Sequence, residues 1–330
     1  MASDSEADLD RLLDREPRNI EALIRKGDLR AAAEDHRAAT AFYKTALSAA
    51  SVAMPLPASL KPAIERALAG VRHAESLFLD FLEQALAKAG LGPGSRPRRF
   101  QHSIDLMLGR AQASPRLQQP TAFYYPGLAE RRYHDPRAFP WAAALEQKAA
   151  SIRREFEAAS AGSHDLFTPY LVSDTARPRT EFHGLRDNPE WSTLDLWDKG
   201  KRSPLAADFG ATAAAVEATD LPRISVRAPN VLFSKLSAGA RIPAHHGMIN
   251  TRLVCHLPLI VPPDCGFRVG GETRQWEEGK LLIFDDTIEH EAWNEGQSER
   301  VVLIFDVWHP DLDADERRAI SVMFEAIDAY

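Results

Sequence analysis

Cysteine is nearly missing: Cys255 and Cys265 are the two in 330 residues. A disulfide-stapled scaffold or a cysteine-rich zinc module is thereby excluded. No apolar run approaches the roughly 20 residues that a membrane-spanning helix needs. Met1 to Asp10 is acidic and lacks the apolar stretch of a secretory signal. An excess of positive charge is absent too. With 47 acidic against 40 basic residues the net charge is −7, the opposite of a surface built to displace counterions from nucleic acid. The expectation is a soluble, cytoplasmic protein in a reducing compartment, with no nucleic-acid or membrane partner.

What is present suffices for a sizeable core, since 45% of residues are hydrophobic. The length admits one large domain or two unequal ones, and the pattern along the chain favours two. From Ala7 to about Ala89 apolar residues recur at helical spacing: Leu9, Leu12 and Leu13, then Ile20, Leu23 and Ile24, then Phe42, Tyr43, Ala46 and Leu47. Asn19 to Leu47 resembles one tetratricopeptide repeat, with Leu23, Gly27, Ala39, Tyr43 and Ala46 at packing or small-residue positions. Lys26 and Arg30 depart from it, standing where bulkier apolar residues are usual. A plain helical bundle accounts for the same spacing. Because one repeat cannot bury its own apolar face, helices between Pro57 and Ala89 are expected to stack on it. Gly90 to Arg99 is rich in glycine, proline and arginine and reads as a linker. The expected division is a helical domain over 1–95 and a second domain over 96–330.

In the second part Phe139 to Ala159 contains a helical segment, and Trp191 and Trp197 fall in a mixed region. From Val231 onward the period changes to two. Val231 to Leu236, Arg252 to Val261, Phe267 to Val269, Lys280 to Phe284 and Arg300 to Val307 are short apolar or alternating runs. Gly, Pro, Asp and Asn divide them, as in an antiparallel sandwich or barrel. The fold class expected is α+β, a helical front followed by a β-rich domain.

The chemistry-bearing residues lie in that β-rich part. Arg241 to Asn250 places His245 and His246 in a turn between two strands, where adjacent histidines serve as metal ligands or as ordinary hydrogen-bonding residues. In the next run alternation puts Arg252, Val254 and His256 on one face and Leu253, Cys255, Leu257 and Leu259 on the other. The same split recurs in the last run: Val301, Leu303, Phe305 and Val307 form the apolar face, and Arg300, Val302, Ile304 and Asp306 the other. A hairpin centred near Glu295 would set His290 opposite Arg300. An imidazole beside a guanidinium suits a metal site that receives a dianionic organic acid, the imidazole taking the metal and the arginine the distant carboxylate. Ser234, on the face of Leu232 and Leu236, fits the same carboxylate.

Over roughly Phe123 to Arg318 the chain resembles the aspartyl/asparaginyl β-hydroxylase family. The resemblance rests on Phe123-Tyr-Tyr-Pro-Gly-Leu128, Phe233-Ser-Lys-Leu236, His245-His-Gly247 with Asn250, and His256-Leu257. Further on it rests on Trp276-Glu-Glu-Gly279, Phe284-Asp-Asp-Thr-Ile-Glu-His290, and Arg300 followed by Asp306-Val-Trp-His-Pro310. It implies a double-stranded β-helix (jelly roll) and dependence on Fe(II), 2-oxoglutarate and O2. It also implies His245 and His290 as iron ligands, Arg300 and Ser234 as receivers of the 5-carboxylate, and His256 as a pocket residue near the metal-bound end.

Where the wider oxygenase class carries an aspartate two residues after the first histidine, this chain has Gly247, as the family does. The open position would take water in a hydroxylase or a halide in a halogenase. Asp285 and Asp286 are expected in turn or supporting roles rather than as ligands. Val254 stands where the family often has an arginine, and Arg252, with the same facing, is expected to compensate. The resemblance implies as substrates Asp or Asn in peptides, free amino acids such as proline, or acyl chains of lipid A; the lack of a membrane segment counts against the lipid, and the helical front favours a peptide and offers a groove for a protein partner. A non-catalytic helical scaffold is the remaining alternative.

Overall fold

The computed structural model describes residues 6–53, 56–111, 117–162, 166–172 and 184–330. The chain divides into two compact units, one built on Met1–Ala85 and the other on Leu86–Leu171 with His183–Ala329. The first is helical: α1 (Glu6–Arg15), α2 (Ile20–Ala32), α3 (His36–Val52) and α4 (Lys61–Lys88). Asn19 and Asp35 cap α2 and α3, each accepting a backbone N–H three residues on. One long helix, α4, replaces the several expected after Pro57.

Tyr43 organises this unit. Its ring lies between two glycines, and a Cβ at Gly27 of α2 would meet it at 2.5 Å, one at Gly70 of α4 at 2.6 Å. Its hydroxyl donates to Asp28 at 2.8 Å. The departure at Lys26 also has a physical reason. Its side chain is buried, with the ammonium paired to Asp10 and Glu6 of α1 and 5.3 Å above the Phe42 ring. A charge is tolerated there because α1 delivers carboxylates to it.

The second unit contains α5 (Arg98–Met107), α6 (Ala142–Glu146), α7 (Ala149–Gly162), α8 (Gly210–Glu217) and α9 (Ala314–Asp328). The helical segment expected within Phe139 to Ala159 is formed by α6 and α7. Its strands are β1 (Tyr133–His134), β2 (Thr168–Pro169), β3 (Trp191–Asp198), β4 (Lys201–Arg202), β5 (Val231–Leu236) and β6 (Arg241–His245). After them come β7 (Arg252–Ile260), β8 (Cys265–Val269), β9 (Glu272–Arg274), β10 (Leu282–Phe284), β11 (His290–Asn294) and β12 (Arg300–Trp308). The region around Trp191 and Trp197, read above as mixed, is therefore a strand, and His245 closes β6 rather than lying in a turn.

Among the described residues the larger sheet runs β1-β10-β7-β12-β5-β3-β2, with β4 on β3, and the smaller runs β6-β11-β8-β9. All named pairings are antiparallel. From β5 onward the chain passes back and forth between the two sheets, which is the winding of a double-stranded β-helix, and the fold is α+β. Leu253, Cys255, Leu257 and Leu259, with Val301, Leu303, Phe305 and Val307, form the outer face of the larger sheet. They pack against Leu145, Ile152, Phe156, Phe209 and Val216 from the helical side. Burial of each such side chain contributes roughly 1.5–3 kcal/mol, enough to hold the opposite face toward the smaller sheet. The polar residues of alternate positions are thereby forced inward.

Candidate active site

His290 and His245 are direct partners across β11 and β6, and their rings stand 4.1 Å apart. The hairpin expected around Glu295 does not form. β11 pairs with β6 and β8 in the smaller sheet, whereas β12 pairs with β5 and β7 in the larger one. The Asn294 to Gly296 turn is a crossing between layers: Asn294 Nδ2 donates to the carbonyls of Leu236, Ser237 and Ser298, and its Oδ1 accepts the Gly296 N–H. His290 and Arg300 share the cavity because the sheets face each other.

Each imidazole is oriented by backbone. His245 Nδ1 lies 2.8 Å from the Pro243 carbonyl and His290 Nδ1 lies 3.0 Å from that of Ile288. Those contacts hold the proton on Nδ1 and leave Nε2 as the lone-pair nitrogen. Burial lowers the pKa of both, that of His290 to about 3, so both rings are neutral near pH 7. Two neutral, backbone-anchored imidazoles are the donor set that a divalent first-row metal ion accepts, and they fit Fe(II). No three His, Cys, Asp or Glu side chains group as a metal site among the described residues; the donors here are two.

From this pair the wall continues through aromatic contacts. Phe284 and Phe267 lie 5.6 and 6.2 Å from the His290 ring. His256 packs against Phe284 at 4.8 Å and Phe267 at 5.1 Å, and Phe267 stacks on Trp276 at 5.4 Å. Arg300 lies over Trp276 at 4.9 Å, and its Nη2 donates to Ser234 Oγ at 3.4 Å. Ser234 in turn accepts from Trp191 Nε1 at 3.3 Å, and the Trp191 ring stands 6.4 Å from His245. The contacts close into a ring that returns to the first histidine. Tyr170 packs against Trp191, the ring centres 4.3 Å apart.

Arg300 is 1% exposed, and among the described residues no carboxylate pairs with it and its Nε has no partner. Burial depresses the guanidinium to about 10. A buried cation without a counterion is costly in isolation, and a carboxylate ligand would relieve that cost. Burial and the Arg300 charge also hold the His256 imidazole well below the usual range, so His256 is neutral, with Nδ1 unpartnered.

Arg252 is not brought to this group. Its two terminal nitrogens are engaged by Asp286, at 2.9 Å, and by Asp306. Burial opposes the Arg252 charge, but these carboxylates more than offset it, so the guanidinium stays protonated. Asp285 has the supporting role expected of it: it accepts from Gln118 and from the Thr287 backbone and hydroxyl. Asn250 bonds both to Gln118 and to the Tyr125 backbone, tying the Phe123 segment to the end of β6.

Sequence reasoning missed what fills the space over Gly247. A Cβ there would overlap the Asp286 carboxylate, coming within 2.6 Å of its Oδ1. Gly247 N–H also donates to the Asp286 carbonyl at 2.6 Å. Burial lifts the Asp286 carboxyl to about 6. Gly247→Ala must therefore push this side chain away, at an overpacking cost of about 1–3 kcal/mol. The expected result is a melting temperature lower by several degrees, with most of the loss recovered in Gly247→Ala/Asp286→Ala. Thermal unfolding of the two variants checks it, and equal melting of both single and double variants would remove the steric argument. Trp191 and Trp276 were also missed as site residues; the alternation of Trp191-Ser-Thr-Leu-Asp-Leu was the available signal for the first.

Fold and site together define a jelly-roll enzyme whose metal-competent imidazole pair faces a buried guanidinium across the two sheets. The sequence profile described as Aspartyl/Asparaginyl beta-hydroxylase matches residues 146–310, and the chain belongs to that family of hydroxylases. The mouse aspartyl/asparaginyl beta-hydroxylase is 37% identical over 144 residues, 43% of this chain and 19% of that protein. Its human counterpart is 35% identical over 181 residues, 54% of this chain and 22% of that protein. The matched region spans about a fifth of the length of these two relatives. The ornithine lipid ester-linked acyl 2-hydroxylase of Rhizobium tropici is 32% identical over 232 residues, 69% of this chain and 76% of that protein. No helix among the described residues is long and apolar enough to cross a membrane.

Proposed function

We propose that this protein is an Fe(II)- and 2-oxoglutarate-dependent hydroxylase of an unactivated C–H, acting on the β-carbon of an Asp or Asn residue in a peptide or on a free amino acid. The observation that carries the reading is the convergence of two neutral imidazoles, His245 and His290, with one buried guanidinium, Arg300, that has no carboxylate partner among the described residues. His245 and His290 would hold the ferrous ion, and iron with O2 supplies the oxidising power for insertion into a C–H bond. Arg300, with Ser234, would receive the far carboxylate of 2-oxoglutarate in a charge-assisted contact strengthened by burial. His256 would line the near end as a neutral group. Trp276, Phe267 and Phe284 exclude water from the space between them.

The Asp286 carboxylate over Gly247 supports hydroxylation rather than halogenation, since a halide there would sit beside a buried carboxylate. The name of the Rhizobium relative, which matches more of this chain than the mammalian ones do, supports an acyl chain as a second reading of the substrate. The helical unit is read as a tetratricopeptide-like surface for a protein partner. Two buried free cysteines suit a reducing cytoplasm.

The test is incubation of the purified protein with Fe(II), 2-oxoglutarate, O2 and candidate peptides, amino acids and acyl lipids. The expected outcome is one succinate and one carbon dioxide for each substrate molecule that gains one oxygen atom. A protein that forms no succinate with any of them under iron would be a scaffold, and the proposal would fall.

A further inference from the structure

On the outer side of the larger sheet, away from the imidazole pair, α7 and the segment leading into α8 border an open cavity of about 660 Å3. That volume lies in the range of small-molecule sites, roughly 300–1,000 Å3. Its floor is apolar: Leu166, Leu205 and Phe209 line it, and the short side chains of Ala158 and Ala159 leave it room. Leu205 is 37% exposed there. The polar groups on its wall divide into two sorts. Ser151 donates to the Lys148 carbonyl at 2.7 Å. Glu155 accepts from the Ala211 and Thr212 backbone N–H groups and from the Thr212 hydroxyl, at 2.7, 2.9 and 2.7 Å, so the N-terminus of α8 is already satisfied. Arg153, next along α7, is likewise engaged, by Glu157, Glu278 and the Leu259 carbonyl. Arg154 and Asp208 remain. Both are exposed, both line the cavity, and neither side chain has a hydrogen bond or an ion pair among the described residues.

We infer that this cavity binds a small zwitterion of the amino-acid class with a bulky apolar side chain, its carboxylate on Arg154, its ammonium on Asp208 and its side chain on Leu205 and Phe209. Charge complementarity selects this occupant. An acid without an amine sets a negative charge beside Asp208, and an amine without an acid sets a positive one beside Arg154; a ligand with both satisfies both. The guanidinium also offers two parallel N–H donors to a carboxylate. The larger sheet separates this cavity from the candidate active site. Phe209 packs at 5.2 Å on Phe233, on the outer face of β5, whereas the next residue, Ser234, turns inward to Arg300. The occupant is therefore the ligand of a second site, and its binding does not depend on the proposed reaction.

Isothermal titration calorimetry of the full chain tests this with three probes of one shape: L-phenylalanine, phenylpropionate, which lacks the ammonium, and phenylethylamine, which lacks the carboxylate. L-Phenylalanine is expected to bind saturably, and each analogue at least about tenfold more weakly, the loss that one charge-assisted contact brings. Arg154→Gln and Asp208→Asn, both at exposed positions, should melt with the parent protein and should each weaken L-phenylalanine by a similar factor. Arg300→Met, which alters the candidate active site, should leave this binding unchanged. Absence of saturable heat at millimolar L-phenylalanine overturns the inference. So does phenylpropionate or phenylethylamine binding as tightly as L-phenylalanine, which would make the cavity a site for an acid or an amine alone. Binding that both Arg154→Gln and Asp208→Asn leave intact overturns it as well, and loss of that binding in Arg300→Met assigns the amino acid to the candidate active site instead.

Discussion

His290→Ala is expected to abolish iron-dependent succinate formation, to well over about a hundredfold below the parent protein. Loss of a group that merely orients a metal-bound histidine already costs roughly 10–100-fold, and here half of the imidazole donor set disappears. No neighbouring His, Cys, Asp or Glu is placed to form a three-residue substitute among the described residues. The loss should appear first as failure to retain Fe(II) after desalting, and then as loss of carbon dioxide release at any iron concentration up to saturation. His290 is 8% exposed and packs on Phe284 and Phe267, so truncation also leaves a cavity. Circular dichroism and a melting curve separate that effect from the loss of metal. A variant that folds, binds iron and turns over 2-oxoglutarate at the parent rate would end the assignment of His290 to the metal.

Arg300→Met should do two opposite things. Saturation by 2-oxoglutarate is expected to fail, with the apparent KM rising by at least about a hundredfold, since loss of one partner of a buried charge pair costs 2–5 kcal/mol. The apoprotein, however, is expected to melt at a higher temperature than the parent. In the apo state the guanidinium is buried and meets a hydroxyl and an indole face rather than a carboxylate. Burial pulls its pKa down to about 10. The sign follows from linkage: the unfolded chain binds this proton more tightly than the folded one, so below pH 10 the charge costs stability, by something on the order of 3 kcal/mol. A methionine of similar length removes that cost and fills the same space. Binding energy for a cosubstrate is here maintained at the expense of the empty fold, the usual tension between stability and function. Differential scanning calorimetry of the apo forms and a 2-oxoglutarate titration of succinate formation check the two halves. A lower melting temperature with an unchanged KM would mean that Arg300 is a structural residue.

Much of this site was legible along the chain. The alternation of Arg300 to Val307 and of Arg252 to Ile260 assigns the inner and outer faces of β12 and β7 correctly, and the motif at Ser234 lands on the residue that meets Arg300. The route from His290 to Arg300 did not follow from turn chemistry. Asn294 and Gly296 suit a hairpin, yet Asn294 spends its amide on carbonyls 57 and 58 residues away, and the two strands enter different sheets. Arg252 shows a second gap. Its facing was readable, but its committed charge depends on Asp286 and Asp306, which lie 34 and 54 positions away.

The amino-acid sequence alone determined the donors and their faces: two histidines, one arginine and one serine on the polar sides of strands whose other sides are apolar. That follows because side-chain alternation is a local property of an extended backbone. Tertiary structure decided which strands oppose one another, that a carboxylate fills the room left by Gly247, and which guanidinium stays available. Those outcomes depend on long-range pairing and on competition among buried charges, neither of which is set by the residues' own neighbours in the chain.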